Sequence, residues 1–449
     1  MKSDTIVAVA TAKGYAGIGV VRISGDLALN ILCKMTNKSN YTPNIATYTK
    51  FYSQDHQILD SGIAIYFKSP HSFTGEDIVE LQGHGSPIVL QMIVKRAIEL
   101  GCRLARAGEF SERAFINGKI DLVQAESIID LIHAESESAA KSALKSLNGT
   151  FSQRINTINK QLIDLRMFVE ATLDFPEEDI EFIVDARIRD KLVLLQNSIN
   201  SLLKNTRQGV ILNNGANVVI VGQPNVGKSS LLNRLADEEI AIVTDIAGTT
   251  RDIVKEKIII NDIVLNIIDT AGIRETADTI EQIGIKRTFM ALDSADLCLI
   301  LIDATRGLDN IDTNILNQIN QSIPKIFVYN KIDLIPCKSI QHNNKLINGS
   351  HHIYISAKHN IGIQELRQII LESIGFENNN QDVFIARTRH LNALTKAVEH
   401  IDMAFHNWSN LEIIAEELRY GHNKLAEITG EFSSDDLLGE IFSRFCIGK

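Results

Sequence analysis

The stretch from Gly222 to Ser229 combines residue types that can hold a phosphate group. It reads Gly-Gln-Pro-Asn-Val-Gly-Lys-Ser and lies between an apolar run at 218–221 and a helical pattern that starts at Ser230. Glycines let backbone N–H groups turn toward an anion, and the N-terminus of the next helix adds partial positive charge. Lys228 can then reach the β- and γ-phosphates of a nucleotide, while Ser229 can bind Mg²⁺. The predicted nucleotide contacts of this loop are Asn225, Val226, Gly227, Lys228, Ser229 and Ser230.

Three later motifs favour a guanine nucleotide site over a chance glycine turn before a helix. After the apolar run 264–268, the Asp269 carboxylate can hold Mg²⁺ through water, and the Gly272 N–H can sense a γ-phosphate. The Asp333 carboxylate can accept the ring N1–H and the exocyclic N2–H of guanine, which adenine does not offer on that edge. Ser356 begins a stretch that can donate a backbone N–H to the guanine O6. The residues that these motifs assign to GTP are Asp269, Thr270, Ala271, Gly272, Asn330, Lys331, Asp333, Ser356, Ala357 and Lys358.

The residues that would support hydrolysis depart from the Ras-like pattern. Ile273 stands where Ras-like proteins carry a glutamine that positions water. The stretch 244–252 instead offers many side-chain and backbone oxygens beside the phosphates. A monovalent cation between the β- and γ-phosphates could supply the charge stabilisation of an arginine finger, which is worth ~10³ to 10⁵ in rate. The residues of this stretch predicted to contact GTP are Thr244, Asp245, Ile246, Ala247, Gly248, Thr249 and Thr250.

The elements around these motifs predict a multidomain protein. The chain has 449 residues, more than one hydrophobic core usually holds. Residues 1–118 mix short apolar strands with helical patterns, which predicts an α+β domain. Residues 119–212 and 378–449 show helical periodicity and form one discontinuous α-helical domain. Residues 213–377 alternate apolar strands with helices, which predicts an inserted α/β P-loop G domain with a parallel sheet covered on both faces.

Composition narrows the cellular setting. No apolar run approaches the ~18 residues that span a bilayer, and the start Met-Lys-Ser-Asp lacks the regions of a signal peptide. We therefore expect a cytoplasmic protein without a membrane partner. The five cysteines are scattered without a Cys-x-x-Cys pair, which suggests reduced thiols and no zinc site. The net charge of −10 argues against binding nucleic acid by overall field, so such a partner needs a local basic patch or an adaptor.

Several polar residues in the N-terminal domain stand at unusual places. Arg22 and Glu80 lie inside apolar strands, and the runs 72–77 and 82–85 combine glycines with carboxylates and a histidine. Glycines permit close approach of backbone to a ligand, but they equally describe tight turns between strands. Both readings stay open from the pattern alone, because buried charged residues need partners in either case.

Taken together, these motifs resemble the MnmE (TrmE) family over essentially the whole chain. The resemblance rests on the loop 222–229, the stretch 244–252, the run Phe-Thr-Gly-Glu-Asp at 73–77 and the final Cys-Ile-Gly-Lys at 446–449. It implies a K⁺-activated GTPase of tRNA wobble-uridine modification that acts with the flavoprotein MnmG. The product would carry a carboxymethylaminomethyl or aminomethyl group at uridine C5. A homodimer is implied as well, joined to MnmG in a heterotetramer and acting on tRNA.

The resemblance also assigns roles around the nucleotide. Asn225 matches the family's potassium-coordinating asparagine, and Thr244, Ile246 and Thr249 match the positions that supply further oxygens to K⁺. Ser229 and Thr250 match the Mg²⁺ ligands. Glu281 matches a glutamate that orients the attacking water, although an ordinary solvated helix residue would look the same in sequence. The catalytic residues implied are Glu281, Asn225, Lys228 and Thr250.

A second site is implied in the N-terminal domain, which resembles the folate-binding and dimer-forming domain of the family. Arg22, Glu80, Lys119 and Lys449 match folate-contacting positions, so the ligand would be a 5-formyl or 5,10-methylene derivative of tetrahydrofolate. Cys446 would belong to an ordered tail that enters this region. The chain departs from the family at residues 10–17, where the usual proline-containing loop after the first strand is absent.

Two other functions are compatible with parts of the sequence. The G motifs are shared with ribosome-assembly GTPases such as Era and Der, but the chain lacks a K-homology Gly-x-x-Gly loop in a suitable domain and a basic tail. A stand-alone folate-dependent transferase would leave the G domain without a use. The flanking domains and the final tetrapeptide therefore favour the tRNA-modification reading.

Overall fold

The computed structural model describes residues 4–174, 181–236, 255–269, 295–309, 312–313, 316, 319–321, 323–335, 344–347, 349–376, 383–408, 410–431, 435–443, 445 and 448. The chain divides into two compact units. The first comprises Met1–Ile129, Leu147–Phe168 and Ala415–Lys449, and the second comprises Asp130–Ser146 and Val169–Ile414.

The described chain contains both strands and helices. The strands are β1 Ile6–Val9, β2 Ala16–Ser24, β3 Thr47–Tyr52, β4 Ile58–Phe67, β5 Ile78–Gly85, β6 Arg103–Leu104, β7 Ala216–Val221, β8 Lys255–Ile260, β9 Ile263–Asp269, β10 Leu297–Asp303, β11 Lys325–Asn330, β12 Asn344–Ile347 and β13 Ser350–Tyr354. The helices are α1 Ala28–Thr36, α2 Pro87–Glu99, α3 Glu109–Ile116, α4 Leu122–Ile132, α5 Glu137–Leu147, α6 Thr150–Asp174, α7 Glu181–Asn214, α8 Lys228–Ala236, α9 Ile363–Ser373, α10 Thr388–His406, α11 Leu411–Thr429 and α12 Asp435–Ser443.

The first unit contains a sheet with the strand order β3-β4-β5-β2-β1-β6. Its neighbouring strands pair antiparallel, except that β1 and β6 run parallel. Side chains alternate between the two faces of a strand, so one face carries Val21, Ile23 and Leu81 into a core with α1 and α2. The other face carries Ala8 against Phe110 of α3. Arg22 lies on that second face.

Helices of the first unit pack around a separate apolar cluster. Leu122 and Ala125 of α4 meet Ile441 and Phe442 of α12, with Phe445 beside them. Residues more than 300 positions apart in sequence thus share one core, which supports the prediction that the two helical stretches belong together.

The sheet of the second unit has the order β12-β13-β11-β10-β7-β9-β8. The strands β13, β11, β10, β7 and β9 run parallel, as predicted for the α/β domain. Strands β8 and β12 pair antiparallel at the two edges, which differs from a purely parallel sheet. Both follow from the chain order, because β8 continues into β9 through the turn at 261–262 and β12 lies directly before β13, and neighbouring strands with so short a connection run antiparallel.

Both faces of the central strands are buried, which explains their almost unbroken apolar sequence. Val218 and Ile220 of β7 face a core with α8 and α9, whereas Val219 and Val221 face a second core on the opposite side. The predicted fold class is therefore confirmed. The chain is multidomain and contains an N-terminal α+β domain, helical segments and a P-loop α/β domain. No described helix is both long enough and apolar enough to cross a membrane.

One close strand contact gives a test of the first sheet. A Cβ added at Gly62 of β4 would lie 1.9 Å from the Gln82 carbonyl oxygen of β5, whereas a Cβ at Gly17 of β2 would meet nothing within 4 Å. We predict that Gly62→Ala lowers the free energy of unfolding of the first unit by about 1–3 kcal/mol, because the strands must separate. Scanning calorimetry of the full chain measures this, with Gly17→Ala as the control. Equal unfolding profiles for the two variants would contradict the close approach.

Candidate functional site

The loop between β7 and α8 has the backbone of a phosphate cradle. Asn225 has φ 62° and Gly227 has φ 99°, both in the left-handed region. A Cβ at Gly227 would lie 2.4 Å from the Asn330 side-chain nitrogen, and one at Gly222 would lie 2.5 Å from the Leu301 carbonyl oxygen. A side chain at either position would clash with the residues packed against the loop, so both positions require glycine. Val226 is buried between them. Asn225 is exposed, and we call the backbone at Asn225 the crest of the loop.

The side chains at the start of α8 lie next to the phosphate loop. Lys228 Nζ donates to the Gly222 carbonyl oxygen at 3.0 Å, so the ammonium group folds over the loop that it follows. Ser229 and Ser230 occupy the first turn of α8 and are exposed. The N–H groups of a first helical turn lack intrahelical acceptors, and together with the helix dipole they favour an anion. This end of α8 can thus receive phosphate oxygens.

Asn330 joins the phosphate loop to the predicted base pocket. Its side-chain amide donates to the Val226 carbonyl oxygen at 2.9 Å and accepts from the Ala357 N–H at 3.0 Å. The residue is 3% exposed, so both bonds are made away from water. Three segments that are distant in sequence are thereby held together by one side chain.

The Asp333 carboxylate lies at the end of this pocket and is fixed by a hydrogen bond. Ser356 Oγ donates to Asp333 Oδ1 at 2.6 Å, and the His359 N–H donates to Ser356 Oγ at 3.2 Å. The hydrogen bond from Ser356 lowers the pKa of Asp333 below its ordinary value. The ionised form, which accepts two hydrogen bonds from a guanine edge, is therefore favoured.

Two further contacts of this pocket were not predicted from the sequence. Lys331, with φ 68°, places Nζ 2.7 Å from Asp303 Oδ2 at the end of β10. Arg234 of α8 donates to the Ala357 carbonyl oxygen at 3.0 Å and to that of Lys358 at 3.3 Å. Asp303 carried the same signal as Asp269, a carboxylate directly after an apolar strand, and could have been found by it. Arg234 carried no such signal.

Several predicted site residues lie outside the described residues. They are Thr244, Asp245, Ile246, Ala247, Gly248, Thr249, Thr250, Thr270, Ala271, Gly272, Glu281 and Lys449. Asp269 is described as the last residue of β9, where it stands opposite Ile220 of β7. Its backbone thus lies beside the strand that feeds the phosphate loop.

In the first unit, the structure brings together two of the unusual polar residues. Arg22 of β2 and Glu80 of β5 are direct cross-strand partners, and two guanidinium nitrogens donate to Glu80 Oε1 at 3.0 and 2.8 Å. The Arg22 guanidinium carbon lies 5.8 Å from the centre of the Phe110 ring. A third guanidinium nitrogen donates to the Gly448 carbonyl oxygen at 3.4 Å. Gly448 therefore lies at this polar cluster.

Lys119 lies at a neighbouring loop. Its Nζ donates to the Pro70 carbonyl oxygen at 3.0 Å. Glu76 of that loop accepts a hydrogen bond from Ser24 of β2 and another from Arg113 of α3, the latter at 3.0 Å. The run 72–77, singled out in the sequence as a ligand candidate, thus uses its carboxylate Glu76 to brace the loop.

Family comparisons fit this architecture. The model described as "MnmE helical domain" matches residues 122–446, and the model described as "GTP-binding protein TrmE N-terminus" matches residues 5–119. The chain belongs to the MnmE (TrmE) family. The N-terminal model of the family covers Arg22, Glu80 and Lys119, and the helical model runs across the inserted sheet domain.

Full-length relatives extend this match. The tRNA modification GTPase MnmE of Laribacter hongkongensis is 50% identical over 450 residues, which cover 100% of this chain and 99% of the relative. That of Dechloromonas aromatica is 51% identical over 453 residues and 100% of both chains. Among solved structures, Era of Aquifex aeolicus bound to GDP–AlF₄⁻ aligns with 42% of this chain and 67% of its own, at 29% identity and a TM-score of 0.29.

The Asp333 carboxylate gives a test of base recognition in this MnmE-family chain. We predict that Asp333→Asn weakens binding of GDP at least about tenfold and strengthens binding of xanthosine diphosphate, since an amide can donate to the xanthine oxygen where guanine has a donor. Titration of both nucleotides against both proteins measures the reversal, and each nucleotide is the control for the other. Unchanged preference for GDP would contradict the assignment of Asp333.

Proposed function

We propose that this chain is a GTPase that acts in the modification of tRNA. The observation that carries the proposal is the side chain of Asn330, which ties Val226 of the phosphate loop to Ala357 of the base pocket. In this proposal a guanine nucleotide binds with its base at Asp333 and its phosphates at Lys228. The full-length similarity to enzymes named tRNA modification GTPase MnmE supports the coupling to tRNA.

In this proposal the described residues bind and orient the triphosphate. Lys228 exchanges the Gly222 carbonyl for β- and γ-phosphate oxygens, and the first turn of α8 adds backbone donors. The exposed Ser229 hydroxyl would hold Mg²⁺ together with Thr250 and the water shell of Asp269, an all-oxygen set of the kind that Mg²⁺ prefers. Gly272 would contact the γ-phosphate.

The proposal assigns water activation to residues other than a glutamine. Ile273 cannot orient water, so Glu281 would do so, with Thr250 as a further catalytic residue. Asn225 stands exposed at the loop crest with φ 62° and can turn its side-chain oxygen toward the phosphates. With oxygens from Thr244, Ile246 and Thr249 it would hold K⁺. When bound, K⁺ supplies positive charge that offsets the charge developing between the β- and γ-phosphates.

The cation dependence tests this assignment. We predict that GTP hydrolysis is faster in KCl than in NaCl, and that Asn225→Ala removes most of this difference, because the cation loses a fixed oxygen. Steady-state rates across both salts measure it. Asn233→Ala, an exposed asparagine on α8, is the matched control and should keep the response. Equal rates in the two salts, or an unchanged response in Asn225→Ala, would contradict the potassium assignment.

The polar cluster of the first unit is proposed as the site of a one-carbon donor. Glu80 can accept donors of a pterin ring, as Asp333 does for guanine, while Arg22, Lys119 and Lys449 supply positive charge for folate carboxylates. The donor would be a 5-formyl or 5,10-methylene derivative of tetrahydrofolate. The close entry of Gly448 beside Arg22 supports a contribution from Lys449.

The remaining partners follow from the family. The active form would be a homodimer with the flavoprotein MnmG in a heterotetramer, located in the cytoplasm, and it would act at C5 of the wobble uridine of certain tRNAs. Its product would carry an aminomethyl or carboxymethylaminomethyl group. The alternative, a ribosome-assembly GTPase, predicts instead co-purification with ribosomal subunits.

Nucleoside analysis of tRNA tests the cellular role. We predict that cells without the protein lose the modified wobble uridines, and that Glu80→Gln fails to restore them while keeping GTP hydrolysis within about threefold, because the donor site and the nucleotide site are separate. Mass spectrometry of digested tRNA measures the nucleosides. Glu99→Gln, on α2 of the same unit, is the matched control and should restore them. Unchanged nucleosides in the deletion strain would overturn the proposed function.

A further inference from the structure

The side chain of Gln223 makes contacts that the nucleotide motif does not account for. Gln223 is the second residue of the phosphate loop and is 8% exposed. Its amide nitrogen lies 2.8 Å from both carboxylate oxygens of Asp309 and 3.0 Å from Asp312 Oδ1. Its amide oxygen accepts from an Arg306 guanidinium nitrogen at 2.7 Å. Every polar atom of this side chain is therefore directed at one neighbouring segment.

That segment follows β10, and we name its described residues 303–309 and 312 the clasp. Asp309 and Asp312 cap each other's backbone, since the Asp312 N–H donates to Asp309 Oδ1 at 3.1 Å and the Asp309 N–H donates to Asp312 Oδ2 at 3.4 Å. Asp312 is 4% exposed. Carboxylates in such positions need hydrogen-bond donors, and the Gln223 amide supplies one to both.

The other end of the clasp is fixed to the base pocket. Asp303 accepts from Lys331 Nζ at 2.7 Å, and the Ala304 N–H donates to the Asn330 carbonyl oxygen at 2.8 Å. Burial raises the pKa of Asp303, but hydrogen bonds from Lys331 and Thr305 outweigh that effect and lower the pKa to about 2. The carboxylate is thus held ionised against Lys331. One segment without a nucleotide motif therefore holds both the phosphate loop and the base motif.

The neighbours of Gln223 in the loop are themselves constrained, so its contact with the clasp restrains the loop backbone. Gly222 before it is packed against the Leu301 carbonyl, and Pro224 after it has a fixed φ. The next residue, Asn225, holds φ 62° at the crest. A side chain anchored between two constrained residues leaves the backbone of the crest little freedom. The anchor on the clasp therefore sets where Asn225 stands relative to the phosphates.

We propose that Gln223 is a positioning residue for GTP hydrolysis, which acts by anchoring the phosphate loop to the clasp. The inference rests on the proposed GTPase function and adds to it a residue outside the recognised motif positions. Displacement of reacting groups by about 1 Å can cost about 100-fold in rate, whereas ground-state binding is less sensitive to such a shift. Loss of the anchor should therefore lower kcat more than it raises KM.

The test exchanges donor and acceptor across the contact. Gln223→Glu puts a third carboxylate against Asp309 and Asp312, and we expect kcat for GTP to fall about 10- to 100-fold with KM changed less than about threefold. Adding Asp309→Asn to Gln223→Glu restores a donor facing an acceptor, and kcat should return to within about threefold of the unaltered protein. Asp309 is the less buried of the two aspartates, so the exchange is made there.

Matched controls separate this role from a loss of folding. Gln368→Glu makes the same change at α9, where Gln368 faces Glu372 at 3.0 Å on the surface, and it should leave kcat unchanged. Gln223→Met removes the hydrogen bonds without adding charge and should lower kcat in the same direction, by a smaller factor. Calorimetric unfolding of each variant is compared with that of the unaltered protein before the kinetics are measured.

The outcomes are distinguishable. An inactive unaltered protein overturns the proposed GTPase function, whatever Gln223 does. An active protein in which Gln223→Glu and Gln223→Met keep kcat overturns the positioning role. A lowered kcat that Asp309→Asn does not restore, in folded proteins, also overturns it, because the effect would then not act through the clasp. A fall in kcat with restoration in the double variant supports it.

Discussion

The nucleotide site of the second unit depends on one neutral amide. Asn330 lies at the end of β11, and its donor and acceptor are both used inside the protein, on Val226 and Ala357. Burial of an amide without such partners would cost several kcal/mol, about 2–7 depending on the reference state. The loop must therefore close on Asn330 to satisfy it, and Gly227 must lack a side chain to let it approach. The phosphate loop is therefore held in its folded shape by the hydrogen bonds of Asn330.

Some contacts at the carboxyl ends of parallel strands could be expected from the sequence. Asn330 and Ser356 could be placed in one pocket because such strand ends share one edge of a sheet. The sequence did not predict the antiparallel edges β8 and β12, since the apolar run of β8 has no direction of its own and β12 is a short, fully exposed strand. Nor could it predict the Gln223 contacts, because residues 83–89 positions apart meet only after the loop after β10 has taken its shape.

The first unit shows why polar residues in loops are harder to interpret than polar residues in strands. Arg22 and Glu80 stood out as charges in apolar strands, and the register makes them cross-strand partners. The run 72–77 stood out as strongly, yet Ser24 and Arg113 use its Glu76 to hold the loop in place. A strand fixes the direction of each side chain by alternation, whereas a polar side chain in a loop has no fixed direction, and Glu76 is used by partners on β2 and α3.

The contact between Arg22 and the Gly448 carbonyl joins residues 426 positions apart. A ribosome adds residues in order at about 5–20 per second, so the sheet that carries Arg22 can form long before Gly448 exists. A Cβ at Gly448 would lie 2.3 Å from the Val9 carbonyl oxygen, so this position beside β1 accepts a residue only without a side chain. This contact can therefore form only after residue 448 has been made, and a chain that lacks Gly448 would leave Arg22 without this acceptor.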